Sequence, residues 1–386
     1  MVVIRKKESA CGCGQDSSCC SESPAVTPHT LGRIAAPWSD GVAATEVGEV
    51  PRVQVVLSRR DCWGTLKTRC AIGRMHYRIA PGLYAVGNPT AESPVLVTAN
   101  YKLSFDHLRK VLPGRNAWIL VLDTKGINVW CAAGKGTFGT DELVRQVREA
   151  GLERIVSHRK LILPQLGAPG VSAHLVRQKC GFRVVYGPVR AADLPAFLDA
   201  SLKAEPEMRR ARFTLKDRAV LIPVEVVTGA KYVLLAAAVL LLLGGLNSHG
   251  YALERVRTTG FASAALILSA FLGGAIFGPL LLPWLPGRAF AVKGAVLGLA
   301  IYAALMLIGG SAAGSSPLWW HVAAWALIIP VITSFTVMNF TGTSNFTSLS
   351  GVLREMHFAI PAQIAGAVIG FGLWAAGLFL RGGPGL

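Results

Sequence analysis

The sequence predicts an α/β domain with an open, mostly parallel sheet, followed by a transmembrane domain of five helices. Three observations predict it. Short runs of Val, Ile and Leu alternate with amphipathic helical patterns in the first half of the chain. Charge almost vanishes beyond Gly229: only nine formally charged side chains follow, against 39 Lys/Arg and 22 Asp/Glu in all 386 residues. Five apolar stretches then recur, each near the ~20 residues a membrane helix needs.

Residues 1–50 are rich in Ser, Pro, Gly, Thr and Ala without periodicity, and read as a disordered Cys-rich arm. The α/β domain is expected over 51–205. Its strands are the continuous apolar runs at 53–57 (VQVVL), 94–99 (PVLVTA), 117–123 (AWILVLD), 160–164 (KLILP) and 182–186 (FRVVY). Helical patterns lie between or after them at 104–112, 140–151, 172–181 and 192–202. Thr140 is a plausible N-cap and Gly151 a plausible stop. Buried strands alternating with helices argue for a parallel sheet, whose ligands bind at the carboxyl ends of strands.

A basic linker, 206–228, leads to the transmembrane domain, 229–386, with spans at about 230–247, 261–283, 289–310, 317–339 and 359–380. Arg209, Arg210, Arg212, Lys216 and Arg218 mark a cytoplasmic flank facing anionic lipid. Arg288, Lys293 and Arg354 place loops two and four on that same side, while loop three (311–316) is uncharged and loop one, with Arg255 and Arg257 against Glu254, is discordant. The expectation is a multi-pass protein of the cytoplasmic membrane, with soluble domain and N-terminus cytoplasmic and C-terminus outside. The spans hold few ionisable groups, so no ion-coupled transporter signature is visible. His249, His321 and His357 lie on the membrane side, and Trp319-Trp320 before His321 suits an interfacial belt. The net charge of +17 has no nucleic-acid motif behind it and no interleaved aromatic platform, so no nucleic-acid partner is expected.

All eight cysteines precede the spans. The start, MVVIRKKESACGCG, lacks an apolar secretory segment, so reduced thiols are expected. Cys11, Cys13, Cys19 and Cys20 are either inert or a soft-metal capture tail; their spacing does not suit an iron–sulfur cluster. Cys131 is different. It sits in INVWCAAGKGTF (127–138), directly after a strand. A phosphate loop would need Gly at Val129 and Ser/Thr at Gly136, so that reading fails. A buried core cysteine is the ordinary alternative. As a short helix, however, 128–134 would align Asn128, Cys131, Ala132 and Lys135 on one face and Val129, Trp130 and Ala133 on another, with the Trp face packed on the sheet. The first face would present a thiolate to a broad, flat ligand.

NVWCAAGKGTF resembles the cap-helix signature of the membrane corrinoid protein of microbial mercury methylation (the HgcA family). The tracts GLYAVGNPTAESPVLVTANYKLSFDHLR (82–109) and LVLDTKGINVWCAAGKGTFGTDEL (120–143) resemble the Rossmann-like corrinoid-binding domain of corrinoid iron–sulfur proteins. The resemblance implies a cobalamin whose cobalt takes Cys131 as lower axial ligand. It further implies a cofactor site of Thr98, Asn100, Asn128, Val129, Trp130, Ala132, Ala133, Gly134 and Lys135. It implies a methyltransferase giving methylmercury from Hg(II), with a methyltetrahydrofolate-type methyl donor and a separate 4Fe–4S ferredoxin-type electron donor. Hg(II) is an electrophile, so methyl must leave with electron density, which a thiolate donor favours. The alternative is a membrane-tethered corrinoid methyl carrier of acetyl-CoA-pathway-like one-carbon metabolism with another acceptor. The polar tract 339–356 is either an interfacial loop or a docking element for the soluble domain, through Asn339, Thr341, Thr343, Asn345, Thr347 and Ser348.

Overall fold

The computed structural model describes residues 37–310, 319–340 and 349–380. The cysteines of the arm and Thr341, Thr343, Asn345, Thr347 and Ser348 lie outside the described residues. In chain order the α/β part runs β1 (Ser39–Thr45), β2 (Gly48–Val53), α1 (Arg59–Arg69), β3 (Gly82–Val86), β4 (Val95–Ala99), α2 (Lys102–Arg109) and β5 (Ala117–Leu122). It continues through α3 (Val129–Gly134), α4 (Thr140–Glu149), α5 (Leu152–Ile155), β6 (Lys160–Leu163), α6 (Ala173–Cys180), β7 (Arg183–Tyr186) and α7 (Leu194–Asp199). The seven strands form one sheet in the order β1-β2-β3-β5-β4-β6-β7. Strands β5, β4, β6 and β7 pair in parallel, whereas β3 runs antiparallel to β5.

Side-chain alternation explains the two cores. In β5, Trp118, Leu120 and Leu122 enter one cluster with α3, α4 and α6. Ala117, Ile119 and Val121 enter the other with α2 and α7. A strand covered on both faces is apolar at every position, which is why these runs show no polar alternation. From β4 the chain passes to β5 on one side, then returns across to β6 on the other. The crevice between the carboxyl ends of β4 and β6 is therefore a topological switch point.

Several expectations need correction. The arm does not extend to residue 50: β1 and β2 form a hairpin on the sheet edge, and Trp38 packs on Tyr84 and Phe105 with ring centroids 5.4 and 5.2 Å away. The run 53–57 contributes only Val53 to a strand, because register with β3 is set earlier. GLYAV forms β3, buried at every position. The N-cap of α4 is Gly139, and the Thr140 hydroxyl instead accepts from the Ser172 amide. Gly151 does adopt the left-handed conformation after α4, at φ 56°.

The apolar half comprises α8 (Leu215–Ala219), α9 (Ile222–Leu243), β8 (Leu246–Asn247), β9 (Gly250–Tyr251), α10 (Leu253–Arg255), α11 (Phe261–Leu281), α12 (Phe290–Gly310), α13 (Trp319–Asn339) and α14 (Leu349–Leu380). Five helices are long and apolar enough to cross a membrane. Two begin earlier than expected. The second half of the basic linker is helical, since Thr214 and Asp217 form a reciprocal capping box that starts α8. Residues 349–356 belong to α14 rather than to a polar loop. Gly294 and Gly298 let α12 approach α13 closely: a Cβ on Gly294 would stand 2.6 Å from the Ser334 Cα, and one on Gly298 2.5 Å from the Pro330 Cα.

Candidate functional site: the shelf at the carboxyl edge

The site begins with Asn100, one residue beyond β4. Its buried side-chain oxygen accepts from the Thr124 amide and hydroxyl and from the Gly126 amide, at 2.9–3.1 Å. Its Nδ2 donates to Asp123 Oδ1 at 3.0 Å. One amide thus fixes the whole turn after β5, in which Lys125 and Gly126 both take positive φ. Asn100 was expected to contact a cofactor. Its buried amide is spent on this turn, so its part is to position the turn.

The turn delivers Asn128 as the N-cap of α3, its Oδ1 accepting from the Cys131 amide at 2.9 Å. Val129, Ala132 and Ala133 face the core, 9, 0 and 5 % exposed. Trp130, Cys131, Gly134 and Lys135 face outward. This differs from the expected partition. Trp130 does not pack on the sheet, and Ala132 is not beside Cys131 on the open face. The aliphatic side chains reach the core, and the indole stays 43 % exposed. From behind, α3 is wedged by the 167–170 turn; a Cβ at Gly170 would collide with the Phe138 carbonyl and stand 3.0 Å from the Ala133 Cα.

Beside α3, over the switch point, lies a cavity of about 510 Å³. Thr98, Asn128 and Trp130 line it, together with His107, Arg190 and Asp217. Thr98 and Asn128 were expected there. The other polar groups were not, because they come from distant segments. Burial, helped by the Lys110 and Arg69 charges, pushes the His107 imidazole down to about 4, so it is neutral near pH 7. Arg190, after β7, donates to Asp217 Oδ2 at 2.7 Å, and Asp217 belongs to the first apolar helix. That acid was the one member with a local signal, the T-x-x-D pattern at 214–217. Among the described residues no three His, Cys, Asp or Glu converge as a metal-holding group.

The shelf thus combines an exposed thiol at Cys131 on a short helix with a cavity at the carboxyl ends of the strands. Comparison with known proteins narrows the class. Residues 73–198 match the family model described as CdhD, CO dehydrogenase/acetyl-CoA synthase delta subunit. Similar relatives include the acetyl-CoA decarbonylase/synthase complex subunit gamma of Methanopyrus kandleri, 32% identical over 146 residues, which are 37% of this chain and 30% of the relative. The same subunit of Archaeoglobus fulgidus is 29% identical over 128 residues, 33% of this chain and 27% of the relative. That of Methanocaldococcus jannaschii is 33% identical over 122 residues, 31% and 25% respectively. The chain thus spans under a third of the length of these relatives.

Proposed function

We propose that this chain is a membrane-held corrinoid protein that transfers a methyl group, with Hg(II) as acceptor and methylmercury as product. The observation that carries the reading is the Cys131 thiol, exposed on the outward face of α3 while Val129, Ala132 and Ala133 anchor that helix. The residues fit a flat macrocycle. The open face of α3 has room at Gly134, with nothing within 4 Å of a Cβ placed there. When bound, a cobalamin would supply a cobalt-held methyl group. The Cys131 sulfur would hold its cobalt, and Asn128 would keep that ligand in place by accepting from the Cys131 amide. Trp130 offers an apolar flank, and Thr98 and neutral His107 give the adjoining cavity polar contacts that carry no charge. A thiolate is a soft, strong donor, and that character is what an electrophilic acceptor needs. Lys135 closes α3 in solvent, where its charge can meet an anionic edge of the cofactor.

The CdhD-family match and the relatives' names favour a second reading, a methyl carrier in acetyl-CoA decarbonylase/synthase-type chemistry. A protein partner is expected in either case: a ferredoxin-type electron donor for the first, complex subunits for the second. X-ray absorption of the cobalamin-loaded full chain should show sulfur bonded to cobalt, lost in Cys131→Ala. Methyl-loaded protein should then convert Hg(II) to methylmercury. Transfer to an acyl-forming acceptor with no methylmercury would select the second reading, and a cobalt without sulfur in the wild type would overturn the site.

A further inference from the structure

A second cavity lies in the apolar half, away from the shelf. It measures about 880 Å³ between α12, α13 and α14. Its mouth carries Arg288, before α12, and Arg354, on α14. Both are exposed, and neither has an ion-pair partner among the described residues. Leu299, Leu327 and Val331 form apolar wall, running to Gly366. Twelve residues of α14 separate Arg354 from Gly366, which is about 18 Å at ~1.5 Å per residue. That matches one leaflet, ~15 Å of a ~30 Å hydrocarbon core.

The mouth faces the α/β side. Phe340, at the end of α13, stacks on Phe213 of the segment leaving the α/β domain, with centroids 6.0 Å apart. Arg218 lies over Trp284, in the α11–α12 connection, at 5.5 Å. One carboxylate, Glu355, also lines the cavity, but it accepts from the Ala291 amide in the first turn of α12 at 2.6 Å. The helix N-terminus offsets its charge and leaves the two guanidiniums in excess. Deeper in, Gln363 is 8 % exposed; its Nε2 donates to Ser334 Oγ at 2.8 Å, and its Oε1 is buried without a protein partner. A bare acceptor there repels an anion, which confines negative charge to the arginine mouth.

We propose that this cavity holds an anionic phospholipid of the leaflet on the α/β side, with its phosphate between Arg288 and Arg354 and an acyl chain along α14 toward Gly366. The apolar wall takes the chain, the two arginines select the head, and the length fits one leaflet. The lipid would tie α14 to α12 where those helices meet the cofactor-bearing side.

The test uses the full chain in nanodiscs of equal parts phosphatidylglycerol and phosphatidylcholine, with retained lipid read by native mass spectrometry after detergent release. Phosphatidylglycerol should be enriched about fivefold in the wild type, as ~1 kcal/mol of net charge attraction gives. The enrichment should fall to parity in Arg288→Gln/Arg354→Gln. Ala362→Trp, from an exposed position in the cavity wall, should lower retention of both lipids. Parity in the wild type, persistent enrichment in the double variant, or a retained single-chain or neutral amphiphile would each overturn the proposal. Should the double variant fail to fold, the wild-type ratio and Ala362→Trp still decide.

Discussion

At the scale of single residues, the site depends on amides that touch no cofactor. Removing the cap by Asn128→Ala should cost about 1 kcal/mol, the usual worth of an N-cap. Because α3 is only six residues long, the loss should show as weaker cobalamin binding by titration, with the thermal midpoint of the detergent-solubilised chain lowered by a few degrees at most. His107 makes a second prediction. Its folded value of about 4 lies below the ordinary 6.5, so the folded state binds fewer protons between those values. Stability should therefore rise with pH from about 4 to 6.5 and level off above. Thermal midpoints at pH 4.5 and 6.5 should differ in the wild type and converge in His107→Gln. Asp61 does not confuse that window. Burial raises its carboxyl, but bonds from Lys102, Ser58 and Arg109 outweigh burial and hold it well below 3.8. Its contribution is lost only as pH falls below the ordinary carboxylate range. The sequence singled out Cys131 through the signature its tract resembles, and the structure leaves that thiol exposed rather than in the core. The sequence hid His107 and Arg190, since their roles come from chain crossings rather than neighbours.

At the scale of elements, α3 is held from behind by the turn that follows β6, and this is where a mutation should act most cleanly. Gly170→Ala would set a methyl group against the Phe138 carbonyl and the Ala133 backbone. Either the turn or α3 must move. Corrinoid affinity should fall by at least tenfold, the ~1.4 kcal/mol expected of modest overpacking, while Gly134→Ala, with open space around it, should fold normally. A cobalamin titration of both variants checks the pair, and equal affinities would deny that the wedge sets the shelf. The central strands were legible because burial on both faces makes them uniformly apolar, as in 95–99 and 117–122. The edge hairpin and β3 were not: GLYAV is only five residues and includes Gly and Ala, and 39–50 mixes polar residues into an exposed edge. The face assignment of α3 failed for a related reason. Six residues make under two turns, so periodicity alone could not say which side the sheet would take, and volume decided it in favour of Val129 and the two alanines.

At the scale of the whole molecule, the α/β domain and the helices share one cavity wall, since Asp217 reaches Arg190 across it. The bridge is half-exposed and should contribute under ~1 kcal/mol to stability. Its role is orientation: it fixes the loop after β7 to the start of the first apolar helix, and so the shelf to the surface of the helical half. Charge gives that surface a side. Arg288, Lys293 and Arg354 all lie in or beside connections on the α/β face, and Lys293 donates to the Leu282 and Leu285 carbonyls that end α11. Basic residues concentrate on the cytoplasmic side of spanning proteins. Crossing by all five apolar helices, an odd number, would set the C-terminal end of α14 opposite the shelf. A protease-cleavable tag after Leu386 should accordingly be cut in intact spheroplasts, and a tag inserted near Asp40, in the β1 edge strand, should be cut only in inverted vesicles. Cleavage of both tags from the same side would mean that one apolar helix does not cross, and the shelf and the arginine-lined mouth would then lose their common side.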